Sequence, residues 1–214
     1  MYPDAGGLRE SFRQMGARLA GLGYVTLVPD VYYRTPYEPF SMETAFSDEG
    51  ERNRLFGLMR GLTADMSVRD AGAFLDFLAS RKDVSGTKVG TTGYCMGGRI
   101  SLTVAGHHGE RIGAAASFHG GNLAVDSDPA SPHHFAKNVR ANVYVGGAEN
   151  DASFPDEQRD RLAAAYTTAD VSHTIETYGA LHGFAVPDNP PFNSDAAERH
   201  WTAMANLYAT SLGE

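Results

Sequence analysis

Lys88-Val89-Gly90-Thr91-Thr92-Gly93-Tyr94-Cys95-Met96-Gly97-Gly98-Arg99-Ile100-Ser101-Leu102-Thr103-Val104 is the stretch whose reading decides the fold. A short β-prone run near 88–93 passes through a glycine-rich turn into a helical pattern running from about 96 to 107. The turn has the form Gly-x-nucleophile-x-Gly, with Cys95 between Gly93 and Gly97. The spacing has a steric cause, since only glycines on both sides leave room for a turn tight enough to lift the central side chain above the sheet. It also sets Cys95 at a helix N-terminus, where unpaired N–H groups and the helix dipole favour thiolate over thiol. The Met96 N–H is then placed to donate to an oxyanion. A buried structural cysteine on a strand-to-helix turn of the nucleotide-binding kind is the competing reading of this stretch alone.

Outward from this junction the pattern alternates. Leu8, Phe12, Met15, Leu19 and Leu22 recur at helical spacing before Gly23, and Tyr24-Val25-Thr26-Leu27-Val28 reads as a strand buried on both faces. A helix is predicted near 67–81, strands near 88–93, 112–118, 141–146 and 171–177, and helices near 96–107, 155–168 and 193–211. Residues 31–64 read as loop-rich and aromatic. This alternation predicts an α/β fold with right-handed crossovers, a mainly parallel sheet and helices on both faces. A ligand then binds beyond the carboxyl ends of the strands.

Two further residues fall at such ends. Asp151 follows Val143-Tyr144-Val145-Gly146-Gly147-Ala148-Glu149-Asn150, and His182 lies in Tyr178-Gly179-Ala180-Leu181-His182-Gly183-Phe184. Asp151 alone also fits a turn or a helix cap, and a single histidine is commonly a surface or core filler. Together with Cys95 they give the order nucleophile, acid, base on three successive strand ends, the order of an α/β-hydrolase triad.

The 214 residues suit one domain, 1–214, with generous loops, and 42% apolar residues supply a core. A net charge of −8 argues against nucleic acid as the main partner. The single cysteine excludes an internal disulfide framework and sits most comfortably in a reducing cytoplasm. No run approaches the roughly 18 apolar residues of a membrane span, and the start carries no signal-peptide pattern. The chain therefore reads as cytoplasmic, and its oligomeric state stays open. His107, His108, His119, His133 and His134 form no H-E-x-x-H spacing, so no metal site is expected.

These residues resemble the dienelactone hydrolase family of the α/β-hydrolases. The matching segments are Asp4-Ala5-Gly6-Gly7, Gly23-Tyr24-Val25 through Pro29-Asp30, Gly93-Tyr94-Cys95-Met96-Gly97-Gly98-Arg99, Phe118-His119-Gly120-Gly121, Asp151 and His182-Gly183-Phe184. The resemblance implies hydrolysis of a small ester or lactone without a cofactor, with Cys95 as nucleophile, His182 as base and Asp151 orienting it. It places the second oxyanion donor at the Ala5 N–H and a thiolate-assisting acid at Asp4, where family members carry glutamate. It puts Val186 where the founding enzymes carry a carboxylate-binding arginine, and matches Arg52 or Arg54 to their other arginine. Tyr37, Phe40, Phe118 and Phe184 are candidate pocket aromatics. One or more strands that normally precede the Asp4 loop are missing or truncated. The alternative is a homologue that binds ligands or senses thiol chemistry without turnover.

Overall fold

The computed structural model describes residues 1–212. Four parallel strands, β1 (Val89–Tyr94), β2 (Ile112–Phe118), β3 (Asn142–Ala148) and β4 (His173–Tyr178), lie side by side in chain order. Their register aligns Tyr94 with Phe118, Phe118 with Gly146, and Ala148 with Tyr178, so the carboxyl ends form one edge. Around them run α1 (Glu10–Ala20), α2 (Glu49–Gly61), α3 (Ala64–Ser80), α4 (Met96–His107), α5 (Asp156–Thr168) and α6 (Ser194–Leu212).

The two faces of the sheet carry two cores, as the period of two requires. From β2 and β3, Ala115, Val143 and Val145 point towards Leu75 of α3, Ile100 and Val104 of α4, and Leu162 of α5. Ala114, Ala116, Phe118 and Tyr144 point the other way, towards Phe12 and Met15 of α1 and Trp201, Met204 and Tyr208 of α6. β2 is buried along its whole length, which suits its five small residues, Gly113, Ala114, Ala115, Ala116 and Ser117.

Two sequence expectations need correction. Tyr24–Val28 is not a strand. A cleft of about 260 Å³ is lined by both Tyr24–Leu27 and Lys88–Thr91. From outside the run its backbone receives one bond, from the Met1 amine to Leu27 O at 2.8 Å, and a strand needs a ladder. Among the described residues the segment ahead of the Asp4 loop contributes a single parallel bridge, Tyr2 to Gly93, with Tyr2 N donating to Thr92 O at 2.8 Å.

The second correction is α2, which forms inside the segment read as loop. Asp48 caps it by accepting from Glu51 N at 2.8 Å, and Glu49 and Glu51 fill its acidic first turn. Three glycines and one buried apolar residue, Leu55, leave it without the periodic apolar stripe that reveals the other helices.

Candidate active site

At the end of β1 the chain turns through Cys95, whose φ of 52° and ψ of −115° are a strained conformation for any residue with a Cβ. Neighbouring bonds hold it there: Cys95 N donates to Phe118 O at 3.1 Å, and Cys95 O accepts from Gly98 N at 3.0 Å. The flanking glycines are required by contact. A Cβ on Gly93 would lie 1.9 Å from Gly97 O, and one on Gly97 would lie 2.3 Å from Tyr2 O. The turn therefore packs helix α4 directly against the backbone of residues 2–3, immediately before the Asp4 loop. Met96 is the first residue of α4, where the helix itself supplies no acceptor for its N–H.

Asp151 and His182 arrive from β3 and β4. Asn150 takes a positive φ of 52° just past β3, and Asp151 then accepts from Ser153 N at 2.9 Å, Ser153 Oγ at 2.6 Å and His182 Nδ1 at 2.7 Å. Burial alone would raise the Asp151 carboxyl, but the bonds from His182 and Ser153 outweigh it and draw it down to about 2. Burial likewise opposes the His182 imidazolium, yet the bond to Asp151 and the influence of Cys95 outweigh it and hold His182 up to about 10. Cys95 itself is half-buried, and the imidazole retains its proton.

The loop before α1 supplies the facing wall. Ala5 is buried, and its C=O accepts from Tyr32 Oη at 3.1 Å. The same hydroxyl lies 3.2 Å from Met96 Sδ, so Tyr32 bridges the loop and the elbow. Asp4 does not serve Cys95. Its carboxylate accepts from Arg9 Nη1 at 2.6 Å, Arg9 Nη2 at 3.0 Å, Gly6 N at 2.9 Å and Asn189 Nδ2 at 3.2 Å. Its oxygens are shared among these four donors, and Cys95 is not among them.

The other predicted residues divide. Phe118, Phe184 and Val186 are completely buried in the core beneath the site and offer no surface to a ligand, which corrects their candidacy as pocket residues. Phe40 is buried too, beneath the Arg54 guanidinium, which lies 3.7 Å from its ring centroid. Tyr37 packs edge-on against Tyr32 and lines, with Tyr32 and Arg54, a cavity of about 560 Å³ beside the Asp4 loop. Arg54 is engaged by Glu51 at 2.6 Å and by Glu38 O at 2.6 Å. Arg52 turns away to Phe46 O at 3.3 Å.

Several site residues escaped sequence reasoning. Tyr32, Ser153 and Arg9 carry no motif, and each acts on a partner fixed only by the fold. His119 lay within a matching segment without an assigned role. Its ring is fully buried 5.2 Å from that of His182, with both ring nitrogens unpartnered among the described residues. Burial, and then the neighbouring His182, keep it well below the usual histidine range and hence neutral.

Known proteins share this arrangement of chain. A carboxymethylenebutenolidase of Pseudomonas sp. (strain P51) is 26% identical over 190 residues, 89% of this chain and 74% of its own length. The crystal structure of P91, a dienelactone hydrolase-like promiscuous phosphotriesterase from metagenomic libraries, matches with a TM-score of 0.77 at 26% identity, covering 99% of this chain and 85% of that one. A structure from Klebsiella pneumoniae subsp. pneumoniae MGH 78578 shares the fold with a TM-score of 0.81 at 24% identity, covering 97% of this chain and 84% of that one. The sequence model of the dienelactone hydrolase family matches residues 1–212, and the chain belongs to that family of hydrolases.

Proposed function

We propose that the chain hydrolyses a small, uncharged ester or lactone through a cysteine nucleophile. The observation that carries this reading is the 2.7 Å bond from His182 Nδ1 to Asp151, at the same edge of the sheet as Cys95 on its strained strand-to-helix turn. In this mechanism the Cys95 thiolate adds to the carbonyl carbon, and the Met96 and Ala5 N–H groups hold the resulting oxyanion. The intermediate collapses to a thioester as His182 gives its proton to the departing alkoxide. Water then attacks the thioester, its proton passing to His182, and the Cys95 thiolate leaves, restoring the starting pair. Asp151 stays ionised and stabilises the imidazolium whenever it forms.

That the substrate is uncharged is supported by the pairing of the cations that lie about the Asp4 loop and the cavity beside it. Arg34 and Arg54, which line the cavity beside the Asp4 loop, bond Asp70 and Glu51, and Arg9 bonds Asp4 and Asp188. The relatives, a carboxymethylenebutenolidase and a promiscuous phosphotriesterase, fit an electrophile with a good leaving group.

The test is steady-state hydrolysis of p-nitrophenyl esters and small lactones, dienelactone among them, by the wild-type protein and Cys95→Ala, with a chelator present. The expected result is turnover that Cys95→Ala lowers by about 10³-fold or more and the chelator leaves unchanged. Equal rates in both proteins overturn the cysteine mechanism. A Cys95 that alkylates readily while no ester is turned over favours the thiol-sensing alternative.

A further inference from the structure

Arg9 stands just before α1, where a charged residue is ordinarily solvated, yet it is 5% exposed. A guanidinium is buried at a large cost unless its donors are satisfied. Here they are. Nη1 and Nη2 donate to the two oxygens of Asp4, at 2.6 and 3.0 Å, and Nε and Nη2 donate to the two oxygens of Asp188, at 2.7 and 2.8 Å. Further contacts reach Gly7 O and Asn189 Oδ1, each at 3.3 Å. Asn189 closes the ring by donating to Asp4 at 3.2 Å. The guanidinium lies so close under the loop that a Cβ on Gly6 would meet Nη1 at 2.8 Å.

What these bonds join is informative. Asp4 immediately precedes Ala5, and Asp188 and Asn189 follow His182 by six and seven residues in the same irregular segment. Two paired carboxylates fix the plane of a guanidinium, and a fixed plane fixes the loops on either side. We propose that Arg9 is a positioning residue, which holds the Ala5 N–H at a set distance from the His182 segment so that oxyanion donor and base address the same carbonyl. This rests on the hydrolytic reading above. Arg9 touches no reacting atom; it acts through Asp4 and Asp188.

The experiment compares Arg9→Lys and Asp188→Ala with the wild type in two reactions of Cys95. Lysine keeps the charge but cannot span two carboxylates in one plane, and Asp188 is exposed enough for its loss to leave the Arg9–Asp4 pair folded. Hydrolysis of p-nitrophenyl acetate builds an oxyanion; alkylation by iodoacetamide builds none. The expected result is a kcat lowered by about 10-fold or more in Arg9→Lys, and by a smaller factor in Asp188→Ala, with KM little changed. Alkylation of Cys95 stays within about two-fold of wild type in both, since it needs only the thiol and imidazole. Unchanged kcat in both variants overturns the proposal. So does a parallel loss of turnover and alkylation, which would make Arg9 a support of the fold alone. A wild-type protein without esterase activity would refute the hydrolytic reading instead. The clamp is then read from amide exchange at Gly6 and Gly7: faster in Arg9→Lys with β1 unchanged supports it, and no change overturns it.

Discussion

At the scale of single residues, the Asp151–His182 bond makes a pH signature that isolated groups lack. His182 is raised from an ordinary value near 6.5 to about 10, so its stabilising effect is complete below about 6.5 and is lost as pH climbs through about 10. Asp151 is depressed to about 2, so its contribution is present above about 4 and is lost as pH falls through about 2. The two windows overlap between roughly pH 4 and 6.5. The difference in denaturation midpoint between wild type and Asp151→Asn is therefore expected to be greatest there and to shrink on both sides. Urea titrations at pH 3, 5.5 and 9 check it, and a difference independent of pH would remove the ionic character of the pair. Asp151→Asn also removes a bond that holds the imidazolium, so the pH at which Cys95 alkylation follows His182 deprotonation is expected to move down. The members of this constellation were legible because the elbow writes its steric demands locally, as Gly93 and Gly97, and because Asp151 and His182 stand at strand ends. Arg9 was not legible, since its second carboxylate lies 179 residues away and nothing near position 9 announces it.

Secondary-structure elements repeat this contrast between local and distant causes. α1, α3, α4 and α6 bury periodic apolar residues and were read to within a few residues, whereas α2 buries only Leu55 and relies on its Asp48 cap. The Tyr24–Val28 run has strand composition but no ladder partner, and β-propensity expresses itself only when a neighbour is present. Glycines at two helices should therefore respond oppositely to alanine. Gly57 in α2 has no atom within 4 Å of an added Cβ, so Gly57→Ala is expected to stabilise by about 0.5–1 kcal/mol through helix propensity. Gly97 in α4 would drive its Cβ to 2.3 Å from Tyr2 O and 2.4 Å from Pro3 O, both backbone atoms. Gly97→Ala must push α4 away from the Asp4 loop, with an expected loss of about 1–3 kcal/mol and a separation of Met96 from Ala5. Thermal melts of both variants give the sign, and p-nitrophenyl acetate turnover should fall only for Gly97→Ala.

The whole molecule adds what no element contains, a common edge and a field. Alternating strands and helices sufficed to predict one sheet between two helical layers, because each parallel crossover admits one handedness and each sheet face must be covered. The charge environment was not predictable, since arginines are neutralised by partners that only the fold supplies: Arg34 by Asp70, Arg54 by Glu51, and Arg9 by two carboxylates at once. The Asp4–Arg9–Asp188 group carries a net −1, and the chain as a whole carries −8. A substrate bearing its own carboxylate would thus approach a negative surface with the nearby guanidinium groups already engaged. Methyl 4-acetoxybenzoate and 4-acetoxybenzoate differ by that one charge while presenting the same acetyl group. The neutral ester is expected to show a kcat/KM about 10-fold or more above the anion at low salt. Raising the ionic strength from about 0.01 to 1 M shortens the screening length from about 30 to 3 Å, so the part of the gap due to long-range repulsion should close while the part due to missing contacts persists. A preference for the anion, or a gap that widens with salt, would mean that one of the paired arginines exchanges its protein carboxylate for the substrate's, and Arg34→Gln and Arg54→Gln compared would then identify which of the cavity's two it is.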